Sequence, residues 1–234
     1  MIATWQRQIS DARASRQPLR IRGGDSKRFY GRETAGEELD TRGYAGIVSY
    51  EPSELVITAR AGTPLLQLEQ ALAAQRQILP FEPPHFGAAT FGGCIAAGLS
   101  GPRRVATGPV RDFVLGTRLL DGRGRDLSFG GQVMKNVAGY DLSRALTGSL
   151  GILGVILEVS VKVLPRPPVE HTIELACDQG EALDRCRQWA RQPLPVSATA
   201  WQDGRLRMRL SGVEAAVNDA HRSIGGARVD EAVA

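Results

Sequence analysis

Cysteine is scarce in this chain of 234 residues. Cys94, Cys177 and Cys186 stand far apart, form no CxxC pair and have no histidine cluster nearby. That argues against a disulfide framework, a zinc site or an iron–sulfur site, so no metal is expected and a reducing compartment is. Lysine is scarce too: Lys27, Lys135 and Lys162 are the only ones. The net charge is +4 and the pI about 9.2, yet the arginines are scattered among acids. Without a basic stripe carrying interleaved aromatics, nucleic-acid binding is not expected. Long apolar runs are missing as well. The best, residues 151–163, is interrupted by Glu158 and Lys162 and is too short and too charged to span a bilayer. Residues 1–19 hold arginines throughout and no continuous apolar segment, so they are not read as a secretory signal. What remains, 42% hydrophobic and 23% charged residues, suits one large globular domain or two modest ones.

Ile2, Trp5, Ile9 and Ala12 fall at helical spacing and predict an amphipathic first helix. Residues 19–22 read as a strand entering the loop "RGGDS", and residues 46–50 and 55–59 as two more strands. Thr63-Pro64 opens a helix with Leu65, Leu68 and Leu72 on its apolar face. Residues 80–108, "PFEPPHFGAATFGGCIAAGLSGPRRVATG", show little periodicity. Their apolar Ile95, Ala96, Ala97 and Leu99 argue for a functional segment rather than disorder. Strands at 113–120 and 126–129 flank Asp121-Gly122-Arg123-Gly124, a hairpin turn. A strand over 151–164 then ends at "PRPP", residues 165–168, read as a domain boundary. Beyond it the order β (171–176), α (181–191), β (196–201), β (206–210), α (213–224), β (227–230) is βαββαβ, a ferredoxin-like layer. The division expected is therefore 1–168 and 169–234.

Glycines come in three groups: Gly23-Gly24 with Ser26 and Gly31; Gly92-Gly93 with Gly98 and Gly101; and Gly139, Gly148, Gly151 and Gly154. Such loops bring successive N–H groups into concave anion sites without a charged side chain. One loop alone is an ordinary tight turn, whereas two can grip a pyrophosphate. GxxxxGK[ST] is absent, and so is a strand-GxGxxG-helix unit with an acid about twenty residues on. A dinucleotide would need a cradle of another type.

The colinear segments "RIRGGDSKRFYG", "ELVITARAGTPLLQLEQAL", "LPFEPPHFGAATFGGCIAAGLSGPRR", "VRDFVLGTRLLDGRGR" and "KNVAGYDLSRALTGSLGILGVILEVSVKV" resemble the FAD-binding domain of the vanillyl-alcohol-oxidase/PCMH flavoprotein superfamily. "MKNVAGYDLSRALTGSLGILG" is most similar to the FAD-binding subunits of bacterial glycolate-oxidising complexes. The resemblance implies an α+β chain, in which a PCMH-type FAD-binding domain of two α/β subdomains precedes a small βαββαβ cap. It implies a first pyrophosphate loop at Arg22, Gly23, Gly24, Asp25 and Ser26. The second would be Gly92, Gly93, Cys94, Ile95, Ala96, Ala97 and Gly98, continued by Gly101. Asn136, Gly139, Tyr140 and Asp141 correspond to a segment near the cofactor. Gly148, Ser149, Gly151, Ile152 and Gly154, followed by Val155 and Ile156, correspond to a strand along the adenine side. Relatives with covalent flavin carry histidine where Asp25 stands, so FAD is expected to be non-covalent.

The resemblance further implies oxidation of a 2-hydroxy acid, glycolate to glyoxylate, with hydride passing from the α-carbon to the flavin. It implies a complex with a second FAD-containing subunit and an iron–sulfur subunit, located in the cytoplasm, any membrane association running through those partners. No catalytic base can be named. Relatives continue well past the cap, whereas this chain stops at Ala234, which would leave the cradle formed and the substrate side incomplete. Two other readings stand: a non-catalytic interaction subunit, and another flavin-dependent alcohol oxidoreductase on the same cradle. Among single residues, Cys94 reads as a packed spectator and His85 as a packed histidine or a cofactor contact. Lys135 is a charge on the flavin or substrate, or plain surface; Arg103 and Arg104 pair with phosphate or a partner, or are surface charges.

Overall fold

The computed structural model describes residues 1–33, 35–131 and 141–229. The chain divides into two compact units, one of Met1–Gly101 and Pro109–Pro165, the other of Pro102–Gly108 and Arg166–Ala234.

In the first unit, helix α1 (Ile2–Ser15) turns Trp5, Ile9 and Ala12 inward. Strand β1 (Leu19–Arg22) pairs in parallel with β2 (Glu37–Asp40). The acidic sequence EELD has poor strand propensity and is not legible as a strand. It is one because Leu39 is fully buried and because Arg20 and Arg22 hold Glu38 at 2.5 and 2.9 Å. Then come β3 (Ile47–Glu51), β4 (Val56–Arg60), α2 (Leu65–Ala74), β5 (Gln77–Ile78) and α3 (Phe91–Ala97). After a short α4 (Arg104–Thr107), which belongs to the second unit, the first unit resumes with β6 (Val114–Leu120), β7 (Asp126–Gly130), α5 (Leu142–Ala145), β8 (Val155–Lys162) and β9 (Leu164–Pro165). Five strands form one antiparallel sheet in the order β3-β4-β8-β6-β7. Central β8 is buried on both faces: Val155 and Leu157 join Trp5, Ile9 and Leu39, while Ile156, Val159 and Val161 join Phe81, Phe91 and the leucines of α2. A register shift opposite Arg118 and Leu119 lets the alternation change face.

Two expectations are corrected. The strand expected over 151–164 is β8, which runs from Val155 to Lys162 and is followed by the separate β9; it does not begin at 151, because residues 151–153 form a turn and Gly151 and Gly154 have φ of +82° and +145°. The aperiodic stretch 80–108 holds two helices, α3 and α4.

In the second unit, β10 (Val169–Ala176), α6 (Gln179–Trp189), β11 (Val196–Gln202), β12 (Arg205–Gly212), α7 (Glu214–Ile224) and β13 (Ala227–Val229) realise the expected βαββαβ order. The sheet runs β11-β12-β10-β13, wholly antiparallel. Trp189 packs against its core, whereas Trp201 is 39% exposed and donates its ring N–H to the Cys177 carbonyl. Segment Pro102–Gly108 belongs here. The Arg103 side chain, 8% exposed, donates to Glu170 Oε2 at 2.6 Å, so Arg103 is neither a plain surface charge nor free for phosphate. Burial opposes ionisation of Glu170, but the hydroxyl of Ser211 and the guanidinium of Arg103 outweigh it and hold its carboxyl below the usual range.

His171 is buried, lies edge-on to His221 at 5.3 Å between ring centroids, and has no partner for Nε2 among the described residues. Burial, then the charge of Arg228, then His221, push its pKa below 6.5. The unfolded chain therefore binds a proton near pH 6.5 that the folded chain refuses, so stability is lost as the pH falls below that value. Melting followed at pH 7.5 and 5.5 is expected to show this acid loss in the wild type. His171→Leu should flatten it; an unchanged slope would place the acid sensitivity elsewhere.

Candidate cofactor-binding site

The first glycine loop leaves β1 at Arg22, whose carbonyl accepts from both the N–H and the hydroxyl of Thr41, at 2.8 and 2.9 Å. The chain then presses onto residues 88–90. A Cβ on Gly24 would lie 1.7 Å from the Ala88 carbonyl oxygen. Asp25 follows with φ +55°, a left-handed conformation that Asp tolerates better than most residues. Its carboxylate is exposed and 3.9 Å from Arg22 Nε. The N–H groups of Gly23, Asp25 and Ser26 find no acceptor among the described residues.

The second loop is the start of α3. Phe-Gly-Gly is a poor beginning for a helix, and three contacts impose it. Phe91 and Ile95 are fully buried. Phe91 N–H donates to Thr63 O, and Gly92 N–H to Ala61 O, each at 2.8 Å. Thr90 caps the helix, its Oγ1 accepting from Gly93 N–H at 3.3 Å. The same oxygen accepts from Gly24 N–H at 3.4 Å, so one hydroxyl joins both loops. The third group docks at the other end of α3. Gly148 N–H and Leu150 N–H donate to the carbonyls of Ile95 and Ala96 at 3.0 and 2.9 Å, using oxygens that a helix end leaves unpaired. Gly98, at φ +67°, comes so close that a Cβ there would lie 2.8 Å from Gly148 Cα.

The three groups thus meet around one cleft of about 760 Å³. Arg22, Gly23, Gly24, Asp25, Ser26, Gly93, Ala96, Ala97, Gly151 and Ile152 line it. A smaller cavity of about 340 Å³ shares Leu19, Ile21, Gly151 and Ile152 with it and adds Gly154 and Val155. The other expected residues stand behind this surface. Gly92, Cys94 and Ile95 are packed beneath it, and Gly98, Gly148 and Ser149 are at the α3 junction. Gly101 backs onto Glu82, Asp141 caps α5, and Ile156 is in the core. Asn136, Gly139 and Tyr140, with Lys135, lie outside the described residues. Burial pushes the Cys94 thiol up to about 12, so it stays protonated and is no nucleophile.

Sequence reasoning missed Thr90, Thr41 and Lys27. A hydroxyl residue just before a helical turn is a capping signal, so Thr90 was legible in principle. Thr41 was not, because only the β1–β2 pairing brings it to Arg22. His85 is paired: its Nε2 is 2.9 Å from Glu69 Oε2.

These residues fit a dinucleotide. Acceptorless N–H groups line a crevice into which backbone, not side chain, projects. Thr147 Oγ1 and Ser149 Oγ are buried without a partner among the described residues. Ile152, 85% exposed on the shared wall, offers an apolar surface to a ring.

Fold and site together define a dinucleotide-binding protein of the two-loop, main-chain type. The chain belongs to the FAD binding domain family, whose match covers residues 2–130; its fold is the PCMH type and its cofactor is FAD. It is similar to glycolate oxidase subunit GlcE of Escherichia coli (strain K12), 51% identical over 95% of this chain and 64% of that protein. Glycolate oxidase subunit GlcD of Bacillus subtilis (strain 168) is 32% identical over 54% of this chain and 27% of its own. D-lactate dehydrogenase of Archaeoglobus fulgidus is 41% identical over 45% and 24% respectively. Solved structures share the fold: an alkyldihydroxyacetonephosphate synthase at TM-score 0.73 and 18% identity, over 94% of this chain and 47% of that one. A Phl p 4 variant described as a glucose oxidase gives 0.71 and 18%, over 95% and 47%. The chain therefore spans less than two thirds of each relative's length.

Proposed function

We propose that this chain is the FAD-binding subunit of an assembly that oxidises a 2-hydroxy acid, with glycolate as substrate and glyoxylate as product. The 51% identity with a glycolate oxidase subunit over 95% of the chain carries this reading. Bound FAD supplies the two-electron acceptor for a CH–OH group. The chain's own share is to hold the phosphates on the acceptorless N–H groups of the first glycine loop, at Gly23, Asp25 and Ser26, where it packs on the second, Gly92–Gly98, and to seat the adenine side against Gly148, Gly151, Ile152 and Gly154. FAD is held without a covalent bond, because Asp25 is acidic and the Cys94 thiol is buried and protonated. The partners are a second FAD-containing subunit and an iron–sulfur subunit, and the assembly works in the cytoplasm. Among the described residues no helix is long and apolar enough to cross a membrane.

The test is an absorbance spectrum of the purified protein before and after acid precipitation, followed by anaerobic addition of glycolate, D-lactate or unrelated alcohols. Flavin bands that move to the supernatant, and that glycolate bleaches in the intact protein, are the expected result. Bands left in the pellet would mean a covalent link. Bleaching only by unrelated alcohols would overturn the substrate. A colourless protein that still assembles with a flavoprotein partner would leave a non-catalytic subunit.

A further inference from the structure

We infer that Lys27 supplies the positive charge that meets the FAD pyrophosphate, carried into the cleft by the His85 carbonyl and the Phe86 ring. The inference rests on the assignment of the two glycine loops to the phosphates.

Lys27 follows Ser26 directly and lines the cleft with Gly24 and Gly93. Its Nζ donates to the His85 carbonyl at 3.4 Å and stands 5.8 Å from the centroid of the Phe86 ring. Both are partners without net charge. Among the described residues no carboxylate lies within ion-pair distance of this ammonium; of the other cations lining the cleft, Arg20 and Arg22 are engaged with Glu38, and Arg28 and Arg32 are exposed to solvent rather than half-buried. The side chain is also half-buried, and that burial lowers its pKa. A half-buried cation with only a carbonyl and an aromatic face is under-compensated. The acceptorless N–H groups of Gly23, Asp25 and Ser26 border the same cleft; they offer dipoles but no net charge. A pyrophosphate diester bears two negative charges, so a site of dipoles plus one ammonium suits it better than dipoles alone.

The ammonium is positioned, not merely tethered. Glu69 of α2 holds the His85 ring at 2.9 Å, and Phe29 packs edge-on to Phe86 at 5.2 Å between centroids. These contacts fix the carbonyl and ring on which Lys27 lies.

The experiment is an equilibrium titration of the flavin-free full chain with FAD, followed by flavin fluorescence, and a competition with ADP, at low and high salt. Lys27→Met is expected to weaken FAD and ADP by the same factor, on the order of 10- to 100-fold, as the loss of a hydrogen bond to a charged group implies. The salt dependence of the wild type should shrink, and Lys27→Arg should recover most of the affinity. Lys27→Gln, which keeps a polar end, serves if Lys27→Met melts early. FAD affinity unchanged in Lys27→Met or Lys27→Gln would overturn the inference while leaving the loop assignment intact. A loss for FAD with ADP unaffected would put the ammonium on the flavin ring and overturn it too. A wild type that binds FAD but not ADP would overturn the loop assignment itself.

Discussion

Gly24→Ala is expected to yield a colourless protein with a lowered melting temperature. The added methyl would lie 1.7 Å from the Ala88 carbonyl oxygen and 3.2 Å from Ala89 Cα. These are backbone atoms, so no rotamer change relieves the clash. The first loop must lift off residues 88–90. In doing so it loses the Gly24 N–H bond to Thr90 and moves the acceptorless N–H groups away from the second loop. Overpacking costs about 1–3 kcal/mol when side chains can adjust, and this site lies at the upper end of that range or beyond it. FAD affinity should fall by at least about 100-fold, because a displaced loop removes several donors at once. Gly131→Ala is the control: a Cβ there meets nothing within 4 Å, and colour and melting should persist. A yellow Gly24→Ala protein that melts like wild type would mean that the loop does not hold the cofactor.

Thr90→Val tests the junction of the loops from the other side. Valine keeps the shape and removes the oxygen that accepts from both Gly24 and Gly93. Loss of an N-cap costs about 1 kcal/mol, and a buried donor left unpaired about 1–3 kcal/mol more. The sum is about 2–4 kcal/mol, read as a lower melting temperature and as FAD binding weakened by roughly 10- to 100-fold. Thr90→Ser keeps the hydroxyl and should bind FAD nearly as the wild type does. If valine and serine behave alike, the hydroxyl does not join the loops.

Both predictions turn on a junction that the sequence showed only in pieces. The glycine groups were legible because glycine is itself the signal: a chain that must approach another backbone, or take a positive φ, has few alternatives. Strands with regular alternation, the hairpin at Asp121–Gly124 and the βαββαβ order were legible because period and turn chemistry are local. Helix α3 was not. Two glycines in its first turn hide it, and it exists because Phe91 and Ile95 are buried and because Thr63, Ala61 and Thr90 receive its first N–H groups. Strand β2 was hidden for a similar reason, since its acids are tolerable only opposite Arg20 and Arg22.

Alone, the sequence determined the βαββαβ order of the second unit, the absence of the two common nucleotide-loop patterns and an acid at position 25. Each of these follows from residue type and short-range spacing. Only the tertiary structure decided that three glycine groups far apart in the chain converge on α3, that Thr90 joins two of them, and that Pro102–Gly108 belongs to the second unit. Among the described residues it also left Lys27 without a carboxylate, while pairing Arg20 and Arg22 with Glu38. Such pairings depend on which backbones approach within hydrogen-bond distance, and that is settled by long-range burial.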